Sequence, residues 1–222
     1  MDIVGLALSF LFIIIVLTSG ALLAKSNRFS KEFIRKFVHI SVSNWWFILI
    51  ATIEKVSYAL VGPILFIVVN TFFVVTKLTK TIGIDDEKRN LGLIFFPLSL
   101  LILVGGSYLS YFPIWASGIG WIVMGYGDGL AALIGKKYGK ISFGHNKSLL
   151  GSLIVLVVSM VTVILFNLGY NLQPLSVNFL ARTLFISIVA MLIEAFTPNG
   201  LDNFTLPIGL MLLASYFLGG GS

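Results

Sequence analysis

The stretch Asp2 to Ala24, DIVGLALSFLFIIIVLTSGALLA, is followed at once by Lys25, Ser26, Asn27 and Arg28. An unbroken apolar segment of that kind supplies the ~20 residues a helix needs to cross a hydrocarbon core of ~30 Å. No basic stretch precedes it and it exceeds the apolar core of a signal peptide, so it reads as a span. The same alternation of apolar run and charge continues at 34–53, 57–76, 91–110, 112–135, 149–169, 178–197 and 203–218. The expected fold is therefore all-α, a polytopic integral membrane helix bundle of about eight transmembrane helices.

Composition points the same way: 58% of the 222 residues are hydrophobic and 11% charged, with a mean hydropathy of +1.02. Eight spans leave only short connections, so residues 1–218 are expected to form a single transmembrane domain. The closing Gly219, Gly220, Gly221 and Ser222 read as a flexible linker. Cysteine is absent, which excludes disulfide scaffolds, thiolate metal sites and cysteine nucleophiles. No internal repeat is evident, which weighs against a transporter built from inverted halves.

The loops separate by charge. Lys25, Arg28, Lys31, Arg35 and Lys36 lie in or beside the first, Lys77, Lys80, Lys88 and Arg89 the third, and Lys136, Lys137, Lys140 and Lys147 the fifth; only Lys55 and Arg182 fall on the opposite side. The positive-inside rule places the odd-numbered loops in the cytoplasm and both termini outside. The charge on that face suits anionic headgroups or a polyphosphate. It sits on short juxtamembrane loops rather than on a free basic domain, so nucleic acid is not an expected partner.

Ionisable residues inside spans are costly and are the first place to seek function. His39, Asp128, Glu194 and Asp202 all lie toward the cytoplasmic side, while the outer halves of the spans carry almost no charge. A proton or ion pathway would distribute polar groups through the membrane depth. This distribution instead predicts a pocket at the cytoplasmic interface, where a soluble anion and a lipid can meet.

Asp128 lies in Gly125-Tyr126-Gly127-Asp128-Gly129, and helical spacing puts Asp128, Ala131, Ala132 and Gly135 on one face. Small neighbours let backbone or phosphate approach the carboxylate, and Mg²⁺ is typically held by one or two carboxylates together with substrate phosphates. The same face also reads as a small-residue packing surface with the Asp paired to another helix. The loop Lys136 to Ser148 combines lysines with Gly139 and Gly144, a composition that suits a triphosphate. The alternative reading is topology signalling, with Lys147-Ser148 capping the next span.

In the second span Arg35, Lys36, His39, Ser43 and Trp46 share a face. His39 is suited either to a lipid hydroxyl or phosphate, or to an ordinary buried hydrogen bond. Glu194, Asp202 and Asn203 add oxygen groups around a turn, where Asp202 is also a natural N-cap. Asp85, Asp86, Glu87, Lys88, Arg89 and Asn90 read as a solvated charge run. Asn70 is placed either to line the pocket or to bond between helices.

Taken in order, Arg35-Lys36-Phe37-Val38-His39, Glu87 to Pro97, Gly127-Asp128-Gly129-Leu130-Ala131, Gly135 with Gly139, Lys147-Ser148-Leu149-Leu150-Gly151-Ser152 and Asp202-Asn203-Phe204-Thr205-Leu206-Pro207 resemble the CTP-dependent lipid alcohol kinases. That family comprises the dolichol, polyprenol and phytol kinases and the yeast-type diacylglycerol kinase. The resemblance implies an integral membrane phosphotransferase that moves the γ-phosphoryl group of CTP to a lipid hydroxyl, giving lipid monophosphate and CDP.

On that reading Asp128 holds Mg²⁺, with Glu194 or Asp202 as a second ligand, and His39 contacts the attacking hydroxyl. Lys136, Lys137, Lys140, Lys147, Ser148, Gly127, Gly129, Arg35, Lys36 and Arg89 attend the nucleotide and its phosphates. Asn70, Glu87 and Asn203 complete the expected set. Leu150 stands where many prenol kinases carry Glu and the diacylglycerol kinases an apolar residue, which keeps diacylglycerol open as acceptor. The related CDP-diacylglycerol synthases have a long signature that this chain lacks, so cytidylyl transfer ranks second, and a transporter or channel ranks below both.

Overall fold

The computed structural model describes residues 1–77, 87–145, 147–198 and 200–219. Helix α1 (Asp2–Lys25) is apolar on every side and presents Ile3, Val4, Leu11, Ile14 and Ile15 outward. Only Gly5, Ser9, Val16 and Gly20 are buried, and this small-residue stripe lets the helix pack closely without a soluble-type core.

The second expected span is broken, forming α2 (Lys31–Ser43) and α3 (Trp45–Thr52). The cause is local: Ser43 Oγ donates to the Ile40 carbonyl at 2.7 Å and Asn44 Nδ2 to the same carbonyl at 3.0 Å, a competition with the helical ladder that bends helices. Two groups of another span engage the break. Trp121 Nε1 donates to the Ser43 carbonyl at 3.0 Å, and the Tyr126 hydroxyl donates to Asn44 Oδ1 at 2.9 Å.

The third span is likewise interrupted at Leu60, between α4 (Val56–Ala59) and α5 (Val61–Val75). Pro63, which cannot donate to the ladder, is accommodated in the first turn of α5. Helix α6 (Glu87–Tyr108) follows. Next come α7 (Ile114–Ile122), a π-helical turn over Val123–Asp128, and α8 (Gly129–Tyr138), which together make one continuous span. A two-stranded antiparallel hairpin, β1 (Ser142–Phe143) and β2 (Lys147–Ser148), leads into α9 (Leu149–Tyr170). Helices α10 (Val177–Phe196) and α11 (Asp202–Leu218) complete the bundle.

Among the described residues six helices are long and apolar enough to cross a membrane: Asp2–Lys25, Val56–Val75, Leu91–Tyr108, Ile114–Tyr138, Leu149–Tyr170 and Val177–Phe196. The split α2–α3 pair and the seventeen-residue α11 occupy the other two expected places. The protein is thus a polytopic helical membrane bundle. Its axis is the span Ile114–Tyr138, with Ile119, Trp121, Val123 and Met124 fully buried. Helices α2, α6, α9 and α11 pack around that span, and the carboxylate at the end of its π turn is therefore held from several sides.

Candidate active site

The site starts from α2, whose first turn is closed by Ser30 accepting from the Phe33 amide at 3.2 Å. One helical turn then presents Arg35, Lys36 and His39. Their approach to the central span depends on glycine: a Cβ on Gly125 would collide with the Ser43 side chain, and one on Gly129 with Ile40. Between these glycines the π turn ends on Asp128, and single π turns inside α-helices are often found at functional sites. Lys36 Nζ donates to Asp128 Oδ2, and both residues are buried.

His39 Nε2 lies 3.6 Å from the same carboxylate oxygen. Its ring packs on Phe96 with centroids 4.6 Å apart, and Phe96 packs in turn on Trp121 at 4.8 Å. Arg35 pairs with Glu32 at 2.6 Å. The buried His39 Nε2 and Arg35 Nε have no hydrogen-bond partner among the described residues. An orphaned polar atom in a buried site is unusual, and these two mark where a ligand group can be received.

Opposite stands Lys147 on β2. Its Nζ lies 2.8 Å from Glu194 Oε1 and 2.9 Å from Asp202 Oδ2. Ser152 Oγ donates to Glu194 Oε2 at 3.1 Å, fixing the second oxygen. Asp202 Oδ1 accepts from the Gly200 and Asn203 amides at 2.9 and 3.1 Å. Asn203 Nδ2 donates to the Gly92 carbonyl at 3.1 Å and so ties the start of α11 to α6.

Burial alone would lower the Lys147 pKa, but the Asp128, Asp202 and Glu194 carboxylates outweigh it and hold the ammonium above its ordinary 10.5. Asp128 acts electrostatically on Lys147, and Asp202 on Lys36. The two ionic groups, drawn from α2, the π turn, β2, α10 and α11, therefore lie within electrostatic reach of each other.

The expected residues thus divide. Lys36, His39, Asp128, Lys147, Glu194 and Asp202 converge, with Arg35 and Asn203 at the margin. Lys136, Lys137 and Lys140 are exposed, and Lys137 Nζ lies 5.0 Å from the Tyr138 ring centroid. Ser148 caps α9, accepting from the Gly151 amide at 3.1 Å. Asn70 Nδ2 donates to the Leu93 carbonyl at 2.8 Å, an α5–α6 bond.

The small face beyond Asp128 is closed by packing, since a Cβ on Gly135 would lie 3.0 Å from Gly151 Cα. The hairpin glycine Gly144 serves a turn, with φ of +70° and no room for a Cβ against Ala195; the His145 amide donates to the Ala195 carbonyl at 2.7 Å. Gly127 has only ordinary contacts. The side chains of Glu87 and Arg89 lie outside the described residues, as do Lys80, Asp85 and Asp86.

Three contributors are not singled out as site residues by the sequence: Ser152, Tyr126 and Asn44. Asn44 carries a signal, as a polar residue inside an apolar span; Ser152 and Tyr126 lie within the Lys147 to Ser152 and Gly125 to Gly129 motifs, but nothing there marks their partners. Among the described residues no group of three His, Asp or Glu side chains is placed to hold a metal ion by itself.

The chain is 30% identical to a protein named phytol kinase from Synechocystis sp., over 95% of this chain and 89% of that one. It is 35% identical over 98 residues to probable phytol kinase 1, chloroplastic, of Glycine max, covering 40% of this chain and 32% of the relative. No family model and no solved structure matches it.

Proposed function

The chain belongs to the phytol kinase family, and from that premise we propose that it is a CTP-dependent kinase acting on a membrane lipid alcohol. The acceptor is of the polyprenol, dolichol or phytol type, with phytol first because both relatives are named for it; diacylglycerol is the other candidate. Products are the lipid monophosphate and CDP. The observation that carries the reading is the buried cluster of Lys36, His39, Asp128, Lys147, Glu194 and Asp202 at one end of a membrane bundle. That end also bears most of the basic residues, which supports a cytoplasmic active site.

Phosphoryl transfer needs alignment and charge neutralisation more than covalent chemistry. The acceptor hydroxyl oxygen attacks the γ-phosphorus, the bond to the β–γ bridging oxygen breaks, and CDP leaves. His39 Nε2, buried and without a hydrogen-bond partner among the described residues, takes a hydrogen bond from the hydroxyl and receives its proton. Lys36 and Lys147 neutralise phosphate oxygens; without nucleotide their charges rest on Asp128, Glu194 and Asp202.

The donor set suits Mg²⁺ shared with phosphates, because the carboxylates are hard oxygen donors and that ion commonly needs only one or two of them. Asp128, with Glu194 or Asp202, would hold it, and when bound it would add to the charge neutralisation on the phosphates. Exposed Lys136, Lys137 and Lys140 act at longer range, drawing the anionic nucleotide toward the site.

Label position tests the reading. Purified protein given γ-labelled CTP and phytol should yield a labelled lipid phosphate on thin-layer separation. Label entering the lipid only from α-labelled CTP would reject kinase chemistry in favour of a CDP-lipid synthase.

A further inference from the structure

One turn below His39 the bundle opens toward the bilayer. Helix α1 packs on α2, α3 and α4, whereas α5 packs on α4 and α6, leaving between them a cleft of about 160 Å³. Its floor includes Val42, Trp45 and Leu100, all buried. Its rim includes Phe10, Leu17, Leu65 and Val69, all largely exposed and therefore facing lipid. The one hydroxyl in the lining, Ser9, already donates to the Gly5 carbonyl at 2.8 Å, so the cleft is apolar throughout.

The cleft adjoins the candidate site along two helices. His39 and Val42 are i, i+3 neighbours on α2, and Phe96 and Leu100 are i, i+4 neighbours on α6, which places each pair on one helix face. His39 and Phe96 touch; Val42 and Leu100 line the cleft one turn deeper. On α1 the lining runs from Leu6 to Leu17, roughly 16 Å of helix. The tail of a molecule with its hydroxyl at His39, directed away from the charged end, would meet the apolar lining of this cleft.

We propose that this cleft receives the hydrocarbon tail of the lipid alcohol, with the hydroxyl held at His39 and the far end of the tail between α1 and α5. The proposal rests on the kinase reading above and adds the site that measures tail length. Because the tail leaves one apolar medium for another, the hydrophobic effect contributes little. Discrimination comes from packing against Trp45 and its neighbours, as between helices in a bilayer.

Two arms test it. Wild-type protein in liposomes is photolysed with a long-chain alcohol carrying a diazirine near its terminal carbon. Crosslinks should map to residues 6–17 and 62–69 and should be lost with excess phytol. Crosslinks elsewhere overturn the proposal, as does equal labelling by a diazirine-bearing phospholipid that phytol fails to displace, which would make the occupant a bulk acyl chain.

In the second arm, Leu65→Trp fills the cleft. The ratio of kcat/KM for phytol to that for a short prenol should fall about tenfold, and an unchanged ratio overturns the proposal. If wild-type protein phosphorylates neither alcohol, the kinase reading fails, while the crosslinking arm still decides whether an alcohol tail occupies the cleft.

Discussion

Lys140 and Lys147 flank one short hairpin, yet their surroundings are opposite. Lys147 reaches between Glu194 and Asp202 in a largely buried position, while Lys140, with Lys136 and Lys137 at the end of α8, stands in solvent. All four are equivalent as topology signals and as sources of positive charge. What separates them is the return of β2 across the ends of α10 and α11, where two carboxylates are already fixed by Ser152, Gly200 and Asn203. The fold removes one lysine from water beside groups it neutralises, whereas the exposed ones contribute a screened field.

The sharpest way to break this comparison lies at its acidic centre. Asp128→Asn keeps the shape and an acceptor for Lys36 but removes the charge shared by Lys36, His39 and Lys147. Turnover should fall by at least about a hundredfold, the scale seen when one group that stabilises transition-state charge is removed. The size-exclusion profile in detergent should stay that of the wild type. Retained turnover would remove Asp128 from the chemistry and leave its ion pair as a packing device.

Next in size is Lys147→Met. Taking away one partner leaves Glu194 and Asp202 buried without their cation, which typically costs about 3–5 kcal/mol in a buried pair. The variant should lose most turnover and melt well below wild type. The sign of the pH dependence follows from the raised pKa of Lys147. Its stabilisation is complete below the ordinary lysine value of 10.5 and is lost as pH rises through the higher folded value. Melting of the wild type should therefore show no pH dependence from this group between about pH 6 and 9, where its contribution is constant. It should fall on the alkaline side, and Lys147→Met should lack that part of the fall.

Much of this was legible before any coordinates. Apolar length located the six helices long enough to cross a membrane, and the positions of His39, Asp128, Glu194 and Asp202 pointed to the end of the bundle where they meet. Hydropathy could not reveal the break at Asn44, where the Ser43 and Asn44 side chains compete for the Ile40 carbonyl, nor the break at Leu60 or the π turn ending at Asp128. It was equally blind to pairing: nothing in the order of residues distinguishes Lys147 from Lys140, or marks Ser152 as the partner of Glu194. Gly144 suggested a phosphate loop by composition, whereas its backbone angle and its contact with Ala195 give it a folding role.

The smallest expected effect tests the other half of the comparison. Replacing Lys136, Lys137 and Lys140 together by Gln removes three exposed charges without opening a cavity or stranding a buried partner, so melting should be unchanged within error. If these residues act only by attracting the nucleotide, KM for CTP should rise about two- to threefold at low ionic strength, with kcat unaltered. That difference should vanish near 0.15 M salt, where the Debye length is about 8 Å. A salt-independent fall in kcat would mean that the exposed lysines close over the bound nucleotide. The boundary drawn here between Lys147 and its neighbours would then describe only the protein without its substrate.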